Sequence, residues 1–217
     1  MLDHFTAPGP TRLDRQLIRA SRKFARWLVE SHDLNDRLRS RELRSLRRRQ
    51  TSLRSMARCA RLPRRPHDDI ALLHDQNAHA GLLVLGKRQE TPIHDHANST
   101  SLSLLLAGDA TIEWYRLCNL STGGYPELIK YKTARLHDSA KNTLCITPKG
   151  DLHRLRSQNQ ASIILNIQLP PVQADKRVIA IITGKIGPEQ YQCVLITEKA
   201  MQQISRNQQP KKIPEPP

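Results

Sequence analysis

Hydrophobic positions change their period once along this 217-residue chain. Between Thr11 and about Ser31, Leu17, Ile18, Ser21, Phe24, Ala25 and Leu28 recur in steps of three and four, which predicts one face of an amphipathic helix. Arg15, Arg19, Arg22 and Arg26 repeat with the same period on a second stripe, and Thr11 or Asp14 is placed to cap the helix. Asp33 is placed to cap a second helix, in which Leu34, Leu38, Leu43 and Leu46 repeat less cleanly among arginines that include Arg47, Arg48 and Arg49. The stretch from Leu62 to Pro66, with two prolines, ends the helical region. Beyond it come short apolar runs separated by turns: Ile70–Leu73, Gly81–Leu85, Ser101–Leu106, Ala110–Leu117, Leu128–Leu136, Thr143–Ile146, Ser162–Leu169, Val178–Thr183 and Gln192–Thr197. Candidate strands at this spacing predict a sandwich or barrel. Glu198 to Asn207 reads as a short closing helix. The organisation expected is a basic helical segment over 1–66, a barrel over 67–200 and a tail over 201–217.

Alternation within the strands indicates which way they face. In Ser162–Leu169, Ile163, Leu165, Ile167 and Leu169 form one continuous apolar face, while Ser162, Ile164, Asn166 and Gln168 form a mixed one suited to a cavity. Pro92 excludes a helix around His94 and His96, and two residues apart on an extended segment their side chains point to one side. They are therefore able to close on one ion. Gly108 and Asp109 supply a turn after this run, and a second turn from Pro148 to Asp151 leads to a third imidazole at His153. Antiparallel strands would bring the three together. Three neutral imidazoles suit iron, zinc, nickel or copper and leave up to three coordination positions open. His74, His79 and His137 have no comparable context, and His74 and His79 read as loop residues.

Charge adds a second theme. The formal net charge is +15, and residues 1–66 hold 18 Lys and Arg against 6 Asp and Glu. Arginine forks suit phosphate, so the basic segment admits weak, salt-sensitive contact with nucleic acid. The reading preferred here is a solvated helical face, because no aromatic platform is interleaved with the arginines. Cys59, Cys118, Cys145 and Cys193 are widely spaced, with no paired motif and no secretory apolar segment at the start, so a cytoplasmic protein with reduced thiols is expected. No apolar run is long enough to span a bilayer, and no membrane association is expected.

The His94, His96, Ser101, Gly108 spacing, followed by Pro148, Gly150 and His153, resembles the two signature motifs of the cupin superfamily. Within it the sequence is most similar to the cysteine dioxygenase group of thiol dioxygenases. This resemblance implies a jelly-roll barrel and a metal held by His94, His96 and His153, with serine where most cupins carry a glutamate ligand. It implies Fe(2+), with another divalent transition metal as the alternative, a small thiol and O2 as partners, and conversion of that thiol to its sulfinic acid. Two features of the group are absent from their expected places. A Ser-His-Tyr relay is replaced by Ile164, Asn166 and Gln168, and a carboxylate-binding arginine is missing at Ile70 and Ala71 on the first strand, with Arg65 the nearest basic group. Asn166, Gln168 and Ser101 are then expected to line the pocket. Substrates lacking a carboxylate, such as cysteamine or an N-terminal cysteine, are expected to be preferred. The alternative is a non-catalytic cupin that binds a metal or ligand in a regulatory role.

Overall fold

The computed structural model describes residues 11–31, 40–60, 68–118, 126–137, 143–172, 177–197 and 199–200. The first helix, α1 (Arg12–Ser31), starts from a reciprocal cap: the Thr11 backbone N–H donates to Asp14 Oδ2 (2.7 Å) and the Asp14 N–H donates to Thr11 Oγ1 (3.2 Å). Both expected capping residues act, each satisfying a donor that a helix start otherwise leaves open. A second helix, α2, covers Ser40–Cys59. The Asp33 cap, the Leu62 to Pro66 boundary and most of the closing helix lie outside the described residues.

Among the described residues eleven strands follow: β1 (Asp68–His74), β2 (His79–Leu85), β3 (Ile93–His94), β4 (Thr100–Ala107), β5 (Asp109–Cys118), β6 (Glu127–His137), β7 (Leu144–Thr147), β8 (Leu152–Ser157), β9 (Ser162–Leu169), β10 (Val178–Gly187) and β11 (Gln190–Thr197). All nine expected strands are present, and β3 and β8 are additional. Strands β2-β9-β4-β7 form one layer and β3-β8-β5-β6 the other. That order, with successive strands from β2 to β9 switching layers except at the β5–β6 hairpin, is the double Greek key of a jelly roll. Strand β1 extends the first layer. The β10–β11 hairpin extends the second, pairing with β3 at one side and β6 at the other, so the second layer closes into a six-stranded ring.

Three apolar clusters follow from this arrangement. The even positions of β2 and β4 and the odd positions of β9 (Ala80, Leu82, Leu102, Leu104, Ile163, Leu165) meet Leu17, Phe24, Ala25 and Leu28 of α1 and Leu53 and Ala57 of α2. The helices therefore cover the outer face of the first sheet. Between the layers, Leu83, Leu85, Leu105 and Ile164 meet Ala110, Ile112, Trp114, Leu136 and Leu155. The ring has its own filling, one residue from each strand: Ile93, Tyr115, Leu128, Leu152, Ala180 and Cys193. The two faces expected for Ser162–Leu169 are thus both used, the apolar one under the helices and the mixed one between the layers.

Candidate metal centre

Residues that cross-pair on the inner face of the first sheet divide the barrel into a dry end and a polar end. Leu83, Ile164 and Leu105 lie opposite one another in one row. Two residues along each strand, Gly81, Asn166 and Ser103 form the next row, and Ser103 donates its hydroxyl to Asn166 Oδ1 (2.8 Å). His79, Gln168 and Ser101 form the third, in which His79 Nδ1 stands 3.1 Å from Gln168 Oε1. At this polar end lies a cavity of about 320 Å³, with Asn166, Gln168, His74, His79 and Asp69 on one wall and Thr91, His94, His96 and Arg177 on the other. Ser101 is buried beside Gln168, and its hydroxyl has no partner among the described residues.

The imidazoles come from the second layer. His94 on β3 pairs in register with His153 on β8, and His96 follows two residues on. Asp95, between the two histidines, turns the other way: its Oδ1 accepts from the Val178 N–H (2.8 Å), and its N–H donates to the Val178 carbonyl (3.1 Å). Leu155 N–H donates to Thr91 Oγ1 (3.0 Å), which fixes the approach of the chain to His94. Gly108 and Gly150 explain the two motif glycines differently. Gly108 has φ +95°, and a Cβ there would lie 2.2 Å from the Ala161 carbonyl oxygen. Gly150 has φ +79° in the turn closed by Asp151 N–H to the Pro148 carbonyl (3.3 Å), with open space around it. Such turns need positive φ at their third residue.

Each imidazole is buried, and the candidate ligand atoms of His94, His96 and His153 all lie within 4.8 Å of one another. A carbonyl oxygen only accepts, so the His94 Nδ1–H donates to Pro92 O (2.8 Å) and the His153 Nδ1–H donates to Asp151 O (3.4 Å). Both rings then present an Nε2 lone pair, the tautomer that second-sphere carbonyls impose on metal-binding histidines. His96 Nε2 is 3.3 Å from His153 Nε2, close to the separation of two imidazole nitrogens on one ion with bonds of about 2.1 Å. Burial, followed by the positive charge of Arg177 and the neighbouring imidazoles, holds His94 well below the ordinary histidine pKa. Burial likewise lowers His96, helped by His153, Arg177 and His79. His153 is pushed down to about 4, by burial against the raising effect of its bond to Asp151, with Arg177 lowering it further. All three are neutral at pH 7, as metal ligation requires. The donor set, its tautomers and the absence of a carboxylate at Ser101 fit a divalent transition ion held by three neutral nitrogens.

No family model matches the sequence, and no curated protein matches it. Solved structures with a similar fold include TT1209 from Thermus thermophilus, at 18% identity and TM-score 0.40, covering 54% of this chain and 94% of that one. A second is an RmlC-like cupin family protein with a double-stranded β-helix fold from Methanocaldococcus jannaschii, at 13% identity and TM-score 0.38, covering 51% of this chain and 84% of that one. A third is hydroquinone 1,2-dioxygenase PnpCD in complex with Cd2+ and 4-hydroxybenzonitrile, at 15% identity and TM-score 0.38, covering 48% of this chain and 65% of that one. At this distance none of them bears on chemistry.

The cavity contains three side chains that the sequence did not point to. His74 and His79 are not loop residues: they end β1 and begin β2, on either side of a tight turn in which Asp75 Oδ1 accepts from Asn77 N–H (2.8 Å) and Ala78 N–H (2.9 Å). Matching histidines on both sides of such an Asp-led turn were the available signal. Arg177 has no local motif. It immediately precedes β10, its Nε donates to the Asp95 carbonyl (3.3 Å), and it lines the cavity. The first strand does lack an arginine, but the cavity does not. Arg65 lies outside the described residues.

Proposed function

We propose that this chain is a non-haem iron thiol dioxygenase acting on a small thiol that carries a carboxylate. The observation that carries this reading is the set of three neutral, buried imidazoles that converge beside the cavity, two of them lining it, with no carboxylate in the ligand group formed among the described residues. Bound iron would supply open positions at which a thiol loses its proton and reacts with O2. The protein's part is to hold, orient and exclude. Arg177 places a guanidinium in the cavity wall, where its positive charge would attract a substrate carboxylate. This reverses the preference for carboxylate-free thiols drawn from β1 alone, since a carboxylate is costly to bury only when it is unpaired. Gln168 and Asn166 offer amide groups to the substrate's polar end.

His79 meets the need that the relay residues absent from β9 leave open. With Gln168 Oε1 accepting from its Nδ1–H, its Nε2 is left as a base for the thiol proton or as a donor once protonated. A cavity of about 320 Å³ fits a substrate of amino-acid size.

The test measures bound metal, O2 uptake and sulfinate formation in iron-loaded protein with cysteine, 3-mercaptopropionate and cysteamine. Stoichiometric iron, lost in a His94→Ala, His96→Ala, His153→Ala variant, and turnover of the carboxylated thiols with Arg177→Gln raising KM for them are the expected results. Iron-loaded protein that oxidises no thiol would end the catalytic reading and favour the regulatory cupin, for which Ile164, Asn166 and Gln168 at the relay positions are the supporting observation.

A further inference from the structure

We infer that the outward face of α1 binds the phosphodiester backbone of single-stranded nucleic acid without regard to sequence. The apolar stripe of this helix is already used: Leu17, Phe24, Ala25 and Leu28 are buried against the first sheet. The outward positions are Arg12, Arg15, Arg19, Arg22, Lys23 and Arg26, all exposed. Of the two acids on α1, Asp14 is fully buried in the helix cap, which leaves Glu30 on the surface. Arg15, Arg19, Arg22 and Arg26 run along one line of the helix, roughly 16 Å at 1.5 Å per residue.

The surface is also shaped. Arg19, Arg22, Lys23, Arg26, Trp27 and Glu30 line a groove of about 400 Å³. Trp27 is half-buried there, with the Arg49 guanidinium of α2 standing 4.5 Å from its ring centroid. Cations that track a backbone beside an aromatic ring and a guanidinium packed on it are elements of single-strand binding, because every base has a π-face that stacks on a ring or on a guanidinium plane. Contrary to the sequence reading, Phe24 and Trp27 are interleaved with these cations; folding buries Phe24 and leaves Trp27 at the groove. An anionic membrane is the weaker match. A helix that lies on lipid sinks its apolar face into the interface, and here that face is inside the protein, with Leu13 the large hydrophobic residue of α1 left exposed.

The experiment uses the full chain and fluorescence anisotropy with a short mixed-sequence single-stranded oligonucleotide. About four phosphate contacts, each adding about 0.7 to the salt slope, should weaken binding roughly 50-fold between about 50 and 200 mM salt. The variant Arg19→Gln, Arg22→Gln, Arg26→Gln should lose at least about tenfold in affinity and most of that slope. A control, Lys87→Gln, Lys149→Gln, Lys185→Gln, removes the same charge from exposed barrel positions and should bind like the parent. Circular dichroism checks that the helices remain, and Arg22→Glu alone serves in the same assay if the triple variant loses them. Equal loss in both triple variants would reduce the effect to net charge and overturn the assignment. So would a parent that binds phosphatidylserine vesicles but no oligonucleotide, or one that binds neither.

Discussion

Gly108 and Gly150 both occupy left-handed backbone, yet they are not equally replaceable. At Gly108 a methyl group would meet the Ala161 carbonyl and Ser162 Cα as well as an unfavourable φ; at Gly150 it meets the φ alone. Gly108→Ala should therefore cost roughly 2–4 kcal/mol, combining backbone strain with overpacking, and Gly150→Ala about 1–2 kcal/mol. Urea unfolding of the two variants checks the order, and equal costs would mean that the chain at Ala161 yields freely. Both glycines, like His94, His96 and His153, were legible in the sequence because a turn or a two-residue spacing is a local property. Arg177 was not. Its place in the cavity depends on β10 pairing with β3, a contact across more than eighty residues that no nearby motif announces.

Strand β8 shows why one element escaped the pattern. Arg154 and Arg156 leave Leu152–Ser157 without an apolar run, but in the fold these side chains are paired: Arg154 Nε donates to Glu113 Oε2 (2.5 Å), Arg154 Nη1 to Glu90 Oε1 (3.1 Å) and Arg156 Nε to Glu90 Oε2 (2.7 Å). Strand β3 escaped because two residues carry no period. The helices were legible because α1 keeps its stripe for its whole length, and that stripe is structural. Leu28→Ala should cost about 2–5 kcal/mol in unfolding free energy while leaving metal stoichiometry at its parental value, since the side chain lies on the far side of the first sheet. Loss of metal from a folded Leu28→Ala protein would show that the helices reach the site.

The Glu113 network has a pH signature. Burial raises the Glu113 pKa, but hydrogen bonds from Arg154 and Tyr115 and the charges of Arg154 and Lys130 outweigh it, so the folded value lies below the ordinary one. A depressed carboxylate contributes stability that is present above its unfolded pKa of about 4.5 and is lost as pH falls through the folded value. Glu113→Gln should lower stability at neutral pH by about 3 kcal/mol, leaving Arg154 with a weakened partner set. It should also flatten the acid limb of the stability profile. A variant whose acid limb superimposes on the parent's would place the titrating group elsewhere.

At the scale of the whole molecule, the feature with the widest reach is the smallest strand. Ile93 and His94 hydrogen-bond to β8 on one side and to β10 on the other, so the backbone that presents an imidazole to the cavity is also the splice that closes the ring. An ion that binds the folded chain adds stability with the logarithm of its excess over Kd, about 4 kcal/mol at a thousandfold excess. Through this splice part of that stabilisation is passed to the C-terminal hairpin. Amide protons in Val178–Gly187 and Gln190–Thr197 should exchange more slowly with solvent deuterium once metal is added, although no hairpin side chain is among the three imidazoles. The coupling is reciprocal: opening the hairpin weakens metal affinity by the factor by which metal disfavours opening, so a substitution that loosens the hairpin, such as Ala180→Gly inside the ring, should weaken metal affinity by up to that factor. The protein would then report an event in its cavity at a surface that its C-terminal strands display.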